Sequence, residues 1–146
     1  MNENEPATTP SVPFPFVRTV TAMFRDVDGV GHVNNAVYLT WVEEARVRYV
    51  FDRRKFRTIG ELDFILASAQ LDFRSPVRLL EDVDIWCGPS RVGNRSWELR
   101  YEGRARTDGR LVLEARTVQV QYDYSFNQAV PLPAEWRGLL EKEIVR

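Results

Sequence analysis

Seven residues that could take part in catalysis or ligand binding lie close together, immediately before the longest helical pattern of the chain. They are Asp26, Asp28, Gly29, Gly31, His32, Asn34 and Asn35, within the segment RDVDGVGHVNNAVYLTWVEEAR at positions 25–46. His32 is the only histidine of the chain. Acidic, flexible and amide residues in front of a helix predict a site at the N-terminus of that helix.

A carboxylate beside a helix start, here Asp26 or Asp28, could act as a general base or as a nucleophile. The free N–H groups of the helix start could hold the negative charge that develops on a substrate oxygen. Asn34 and Asn35 are typical helix caps, and Gly31 allows a turn that brings the backbone close to a ligand. The alternative is an acidic turn with an asparagine cap and no chemistry, because these residue types also form ordinary turns.

The single histidine and single cysteine limit the other kinds of site. They cannot supply a four-ligand zinc site of nitrogen and sulfur atoms, so we expect no metal centre. The sequence also lacks the G-x-S-x-G elbow of serine hydrolases. Cys87, with His32 as its base, is an alternative nucleophile. However, Cys87 shares one face of its predicted strand with Val83 and Ile85, so it is expected to be a small buried hydrophobic residue.

The composition is that of one globular domain, with 146 residues, 44% hydrophobic and 28% charged. A net charge of −1 gives no electrostatic reason to expect nucleic-acid or membrane binding. Neither a membrane-spanning apolar run nor a signal pattern is present, so we expect a cytoplasmic protein. Residues 1–15 hold four of the eight prolines and are predicted to form a flexible tail or an extended arm, followed by a single domain at 16–146.

Hydrophobic periodicity predicts an α+β fold. The predicted elements are strands at 16–24, 64–74, 82–92, 96–107 and 110–124, a long helix at 35–53 and a short C-terminal helix at 134–145. Hairpin signals at Gly93-Asn94 and Asp108-Gly109 favour an antiparallel sheet, and only the long helix could cover one face of it. The pattern predicts a five-stranded antiparallel sheet wrapped around one central helix. Tyr38 and Trp41, on the apolar face near the helix start, could also line a pocket.

Four basic residues lie at the end of the long helix, namely Arg53, Arg54, Lys55 and Arg57. Such a run is typical of a solvated helix C-terminus, where cations complement the helix dipole. The alternative is contact with the phosphates of a nucleotide-bearing thiol.

The string D-x-D-x-x-G-H-V-N-N-x-x-Y, here from Asp26 to Tyr38, resembles the signature of hotdog-fold acyl-CoA thioesterases of the 4-hydroxybenzoyl-CoA thioesterase type. The later spans QLDFRSPVRLLEDVDIW and DGRLVLEARTVQVQYD are similar to the strands of that family. The resemblance implies a hotdog fold and hydrolysis of a thioester to a free acid and CoA. It also implies no cofactor beyond the CoA of the substrate, and a homodimer or a dimer of dimers with active sites at the interface.

The same resemblance implies that Asp28 is the catalytic carboxylate, which would attack the thioester carbonyl or activate a water molecule. The carbonyl oxygen would lie against backbone N–H groups near Asn35, and His32 would hydrogen-bond the carbonyl or orient Asp28. Substrate contacts are expected from Gly31, Asn34, Tyr38 and Trp41. Asp26 is expected to be structural, because two adjacent ionised carboxylates are costly.

Two other functions fit the same fold. One is a non-catalytic protein that binds acyl thioesters, and the other is a hydrolase of acyl-carrier-protein thioesters. Plant acyl-carrier-protein thioesterases have a similar segment, but they carry an asparagine where this chain has Val30 and a glutamate where it has Pro76. Only Asp28 and His32 carry over from the plant scheme.

Overall fold

The computed structural model describes residues 8–146, which form six strands and two helices. The strands are β1 (Phe16–Thr21), β2 (Phe64–Phe73), β3 (Asp82–Val92), β4 (Ser96–Ala105), β5 (Leu111–Asp123) and β6 (Gln128–Ala129), and the helices are α1 (Asn35–Arg54) and α2 (Ala134–Lys142). The five predicted strands and both predicted helices are confirmed, and β6 is a short addition that pairs with β5. β1 ends before the predicted strand does, because the chain enters a 3-10 turn at Phe24–Asp26.

The strands form an antiparallel sheet in the order β1-β3-β4-β5-β2, with β6 beside β5. β1 and β2 lie at opposite ends of this order although they are consecutive strands, and α1 is the connection between them. α1 packs mainly on β1 and β3 and encloses the core against the curled sheet. The predicted architecture, an antiparallel sheet around one long helix with a short C-terminal helix, is confirmed.

α1 begins and ends where its sequence dictates. The Asn34 side chain accepts a hydrogen bond from the Ala36 N–H group at 2.9 Å, and the helix ends at Lys55, whose φ of 55° is left-handed. One face of the helix is buried, through Tyr38, Trp41, Val42, Ala45, Arg46, Tyr49 and Val50. Among the helices of the described residues, none is long and apolar enough to cross a membrane.

Thr8 and Ser11 contact the face of β3 and β4 that carries Asp84 and Glu102, and the Pro15 carbonyl accepts from Arg53 of α1 at 3.0 Å. The N–H and hydroxyl groups of Thr8 donate to Asp84 Oδ2 at 3.2 and 2.8 Å. Ser11 donates to Glu102 in the same way, with its N–H group at 2.8 Å. These contacts are those of an extended arm over two buried carboxylates. The first seven positions of the predicted tail lie outside the described residues, and its flexibility stays a prediction.

The substitution Gly88→Ala tests how tightly this arm is packed. A Cβ atom at Gly88 would come within 2.5 Å of the Pro15 Cδ atom and 2.6 Å of the Val145 Cγ2 atom. We expect the free energy of unfolding to fall by about 1–3 kcal/mol, because the arm or the C-terminus must move. Gly138→Ala in α2 is the matched control, since nothing lies within 4 Å of its Cβ position. It should leave stability unchanged or raise it by up to about 1 kcal/mol. Equal effects in urea titrations would contradict this packing.

Candidate active site

The acidic turn before α1 is a small hairpin closed by main-chain hydrogen bonds. The Asp28 N–H group donates to the His32 carbonyl at 2.9 Å, and the Gly31 N–H group donates to the Asp28 carbonyl at 3.0 Å. Val27 and Val33 pair below this tip as an antiparallel bridge. Gly31 has a φ of +84°, a conformation that favours glycine, so its role here is to form the turn.

Hydrogen bonds on both sides fix the hairpin to its surroundings. The Asn34 N–H group donates to the Asp26 carbonyl at 2.9 Å, which joins the turn to the helix cap. The Val33 N–H group donates to the Val77 carbonyl at 2.8 Å, and a bridge pairs His32 with Arg78 in the segment between β2 and β3. The turn is therefore held by α1 and by the chain that follows β2.

A cleft of about 430 Å³ opens beside this turn. Its lining comes from the turn, the first helical turn of α1 and the end of β2: Asp28, Val30, His32, Val33, Asn34, Asn35, Tyr38, Phe73, Arg74, Ser75 and Pro76. Of the predicted site residues, Asp28, His32, Asn34, Asn35 and Tyr38 line the cleft together. Gly31 and Trp41 do not line it, and direct substrate contact by these two stays a prediction.

The Asp28 carboxylate is exposed, and only one of its two oxygen atoms accepts a hydrogen bond. Its Oδ1 atom accepts a hydrogen bond from the Val30 N–H group at 3.0 Å. Within residues 8–146, no donor reaches the Oδ2 atom. Asp26 is different, because its Oδ2 atom accepts from the Met23 N–H group at 2.8 Å and its side chain is not part of the cleft. These contacts agree with a structural role for Asp26 and leave one oxygen of Asp28 available for chemistry.

The start of α1 has one backbone amide without an acceptor among the described residues, that of Asn35. The Asn34 side chain takes up the Ala36 N–H group, and the Asn34 carbonyl accepts from Val37 at 2.9 Å. In the described part of the chain, no acceptor meets the N–H group of Asn35. This amide lies at the positive end of the helix dipole, and Asn35 lines the cleft.

Tyr38 forms the apolar floor of the cleft. Its ring lies edge-on to Phe73 and tilted against Trp41, with centroid distances of 5.2 Å in both cases. Burial raises the pKa of the Tyr38 hydroxyl, so this group stays protonated at neutral pH. The hydroxyl contacts the backbone after β2, through a hydrogen bond with Val77 and a long one, at 3.5 Å, to the Ser75 carbonyl. Trp41 acts on the site through Tyr38, since it is buried beneath it.

The alternative pair of Cys87 and His32 is not assembled. Cys87 is fully buried in the core, and burial raises the pKa of its thiol, which disfavours the reactive thiolate. His32 lines the cleft, where Cys87 does not. No hydrogen bond joins the His32 imidazole to a side chain of the described residues, so its orienting role stays a prediction.

The sequence did not identify the wall of the cleft that follows β2. Phe73, Arg74 and Ser75 reach the site through sheet pairing, and the only local signal was Pro76, which ends the strand. Arg74 donates to Glu114 from its Nε atom at 2.8 Å, so its charge is already paired.

The basic run lies at the other end of α1, about 27 Å from the cleft along the helix. Arg53 pairs with Glu143 at 2.7 Å, and Arg54 pairs with Asp63 at 2.7 Å. Both arginines therefore have structural roles, and they are packed over Tyr49 and Trp136 instead of being solvated. Across residues 8–146, no group of three or more His, Cys, Asp or Glu side chains is placed to hold a metal ion.

Comparison with known proteins identifies the family. The model of the thioesterase-like superfamily matches residues 23–140, which include the turn, α1 and the whole sheet from β2 onwards. The chain belongs to the thioesterase-like superfamily. The predicted class of enzyme, a thioester hydrolase, and the predicted 4-hydroxybenzoyl-CoA thioesterase type of fold are confirmed at the level of this superfamily.

Similar proteins and solved structures cover most of the chain. The long-chain acyl-CoA thioesterase FadM of Escherichia coli (strain K12) is 27% identical over 120 residues, 81% of this chain and 91% of that protein. A thioesterase from Thermus thermophilus, solved in complex with coenzyme A and zinc, is 31% identical with a TM-score of 0.78, over 86% of this chain and 97% of that one. The structure of a predicted thioesterase from Bacillus stearothermophilus has a TM-score of 0.82 and 22% identity, over 88% and 96% of the two chains. The predicted hotdog fold is confirmed.

The two glycines of the turn give a matched test of the hairpin geometry. Gly31→Ala places a side chain at φ +84°, and we expect it to lower the free energy of unfolding by about 1 kcal/mol and to displace Asp28. Gly29→Ala adds the same methyl group where φ is not positive and nothing lies within 4 Å. It should leave stability and activity near those of the wild type. Urea titration and thioester hydrolysis by both variants check this, and equal effects would contradict the assigned role of Gly31.

Proposed function

We propose that this protein hydrolyses acyl-CoA thioesters to a free acid and CoA. The observation that carries the proposal is the shared cleft, which brings the free carboxylate oxygen of Asp28 and the free amide of Asn35 to one space of about 430 Å³. A thioester carbon between these groups would have a base or nucleophile on one side and an oxyanion donor on the other.

Two routes lead from this arrangement to the products. Asp28 attacks the carbonyl carbon, the C–S bond breaks, and water then hydrolyses the mixed anhydride. In the second route, Asp28 takes a proton from a water molecule that attacks the same carbon, and the tetrahedral intermediate then breaks its C–S bond and releases the CoA thiolate. In both, the Asn35 N–H group stabilises the oxyanion, and one such donor is worth about 3 kcal/mol in other hydrolases. His32 and the protonated Tyr38 hydroxyl are the further donors that could bind the carbonyl.

The choice of an acyl-CoA substrate is supported by the relatives and by the cleft. FadM is named for long-chain acyl-CoA, and the Thermus protein was solved with coenzyme A. Val30, Val33, Tyr38 and Phe73 give the cleft an apolar side that suits an acyl group.

A homodimer through β2 is part of the proposal, with a dimer of dimers as the larger alternative. β2 is an edge strand of ten residues, and Leu66 and Phe73 on its core-facing side are 41% and 47% exposed. Long apolar edges of this kind are normally covered in stable proteins. The cytoplasmic location stays a prediction.

The variant Asp28→Asn tests the catalytic role. We expect kcat/KM for acyl-CoA hydrolysis to fall by about 100-fold or more, because the amide is neither a base nor a competent nucleophile. Thiol release can be followed with a thiol-trapping reagent over aromatic, short, medium and long acyl-CoAs. Asp26→Asn is the matched control, since its side chain lies outside the cleft and the amide oxygen can still accept from Met23.

Each alternative function gives a different result in the same assays. Full activity of Asp28→Asn would remove Asp28 from the mechanism. Saturable binding of acyl-CoA by the wild type without thiol release would favour the non-catalytic binder. Hydrolysis of an acyl group from a carrier protein, but not from CoA, would favour the carrier-protein hydrolase.

A further inference from the structure

The connection between β2 and β3, residues 74–81, holds the acidic turn in place and contributes one wall of the cleft. The Val77 carbonyl accepts a hydrogen bond from the Val33 N–H group at 2.8 Å, and Arg78 pairs with His32 as an antiparallel bridge. The position of this connection therefore determines where the tip of the acidic turn lies relative to α1.

Main-chain hydrogen bonds hold both ends of the β2–β3 connection. The Arg74 N–H group donates to the Val112 carbonyl at 3.0 Å, and the Leu80 N–H group donates to the Ala22 carbonyl at 2.7 Å. The part between these ends carries the wall of the cleft, and a side chain from another turn of the sheet binds it.

This side chain is that of Arg110, in the turn between β4 and β5, and its guanidinium group binds two points of the connection. The Nη2 atom donates to the Pro76 carbonyl and to Glu81 Oε1, each at 2.7 Å, and the Nη1 atom donates to Glu81 Oε2 at 2.9 Å. Glu81 Oε1 also accepts from the Arg78 N–H group at 3.0 Å, so the ion pair reaches the residue that pairs with His32. We call Arg110, Glu81 and Pro76 the arginine clamp.

The ion pair of the arginine clamp stays charged throughout the neutral pH range. The hydrogen bonds from Arg110 lower the pKa of Glu81 to about 2, and the Thr107 hydroxyl adds a further donor to Glu81 at 2.9 Å. An arginine side chain does not lose its proton in proteins. Arg110 lies outside the lining of the cleft, so it reaches the site only through the connection that it holds.

We propose that Arg110 is a positioning residue for thioester hydrolysis, which fixes the β2–β3 connection and, through it, the acidic turn with Asp28. For its effect on turnover, this inference rests on the proposed function. A misplacement of about 1 Å in an active site can cost about 100-fold in rate. The Val77 side chain is fully buried in the core, so loss of the arginine clamp loosens the connection without unfolding the chain.

The variant Arg110→Ala removes the three hydrogen bonds to Pro76 and Glu81. We expect kcat for acyl-CoA hydrolysis to fall by about 10- to 100-fold and KM to change by less than about threefold, because the groups that contact the substrate remain in the cleft. The loss should be the same from about pH 6 to 9, since neither Arg110 nor Glu81 titrates there. Arg110→Lys should recover little of the loss, because an ammonium group lacks the planar fork that binds a carboxylate at two points.

Arg104→Ala is the matched control. Arg104 also joins a carboxylate to a main-chain carbonyl, with 2.8 Å from its Nε atom to Glu102 Oε2 and 3.0 Å from its Nη1 atom to the Gly109 carbonyl. Neither partner belongs to the β2–β3 connection. We expect this variant to lose stability in urea titrations while its kcat stays near that of the wild type.

Amide hydrogen exchange, followed by NMR without substrate, tests the arginine clamp directly. The Val33 amide reports on the bond between the turn and the connection. The Leu132 amide is the reference, because it donates to the Asn94 carbonyl at 3.0 Å near the opposite end of the sheet. Both amides belong to buried residues outside the named strands and helices. In Arg110→Ala, we expect exchange at Val33 to be about tenfold faster and exchange at Leu132 to be unchanged.

Four results would overturn the proposal. They are a wild-type kcat in Arg110→Ala, an equal loss of kcat in Arg104→Ala, a loss in Arg110→Ala that varies with pH, and equally accelerated exchange at Val33 and Leu132. Absence of thiol release by the wild type would instead reject the proposed hydrolase. The exchange comparison then decides alone whether Arg110 fixes the turn.

Discussion

The hydrogen bond from the Asn34 N–H group to the Asp26 carbonyl ties the acidic turn to the start of α1. The bridge between Val27 and Val33 closes the same hairpin, so only its tip projects. The two strands of the hairpin are joined at its base to the Asn34 cap of α1. The position of Asp28 is therefore fixed relative to α1, and Asp28 does not belong to a free loop. A carboxylate on a turn that main-chain hydrogen bonds close needs little reorganisation of the backbone when a substrate binds.

The start of α1 is held in turn by aromatic packing. Tyr38 lies between Trp41 and Phe73, and it joins the helix to the last residue of β2. Burying one such ring contributes about 1.5–3 kcal/mol, more than the long hydrogen bond of Tyr38 to Ser75 can add. The start of α1, which lines the cleft, is therefore fixed by packing against the hydrophobic core near the edge strand β2. This position gives a thioester access from solvent while the helix behind it stays fixed.

The turn and the helix start could be predicted because their residues act locally: Asn34 caps α1, and Gly31 takes a positive φ. The far wall of the cleft could not be predicted in this way. Ser75 and Tyr38 are 37 positions apart in the sequence, and the pairing of β2 with β5 brings them together. Strand alternation also leaves open which face is buried. In β5 the buried face carries Gln119, whose Nε2 atom donates to a core carbonyl at 3.0 Å, while Val118 faces partly outwards.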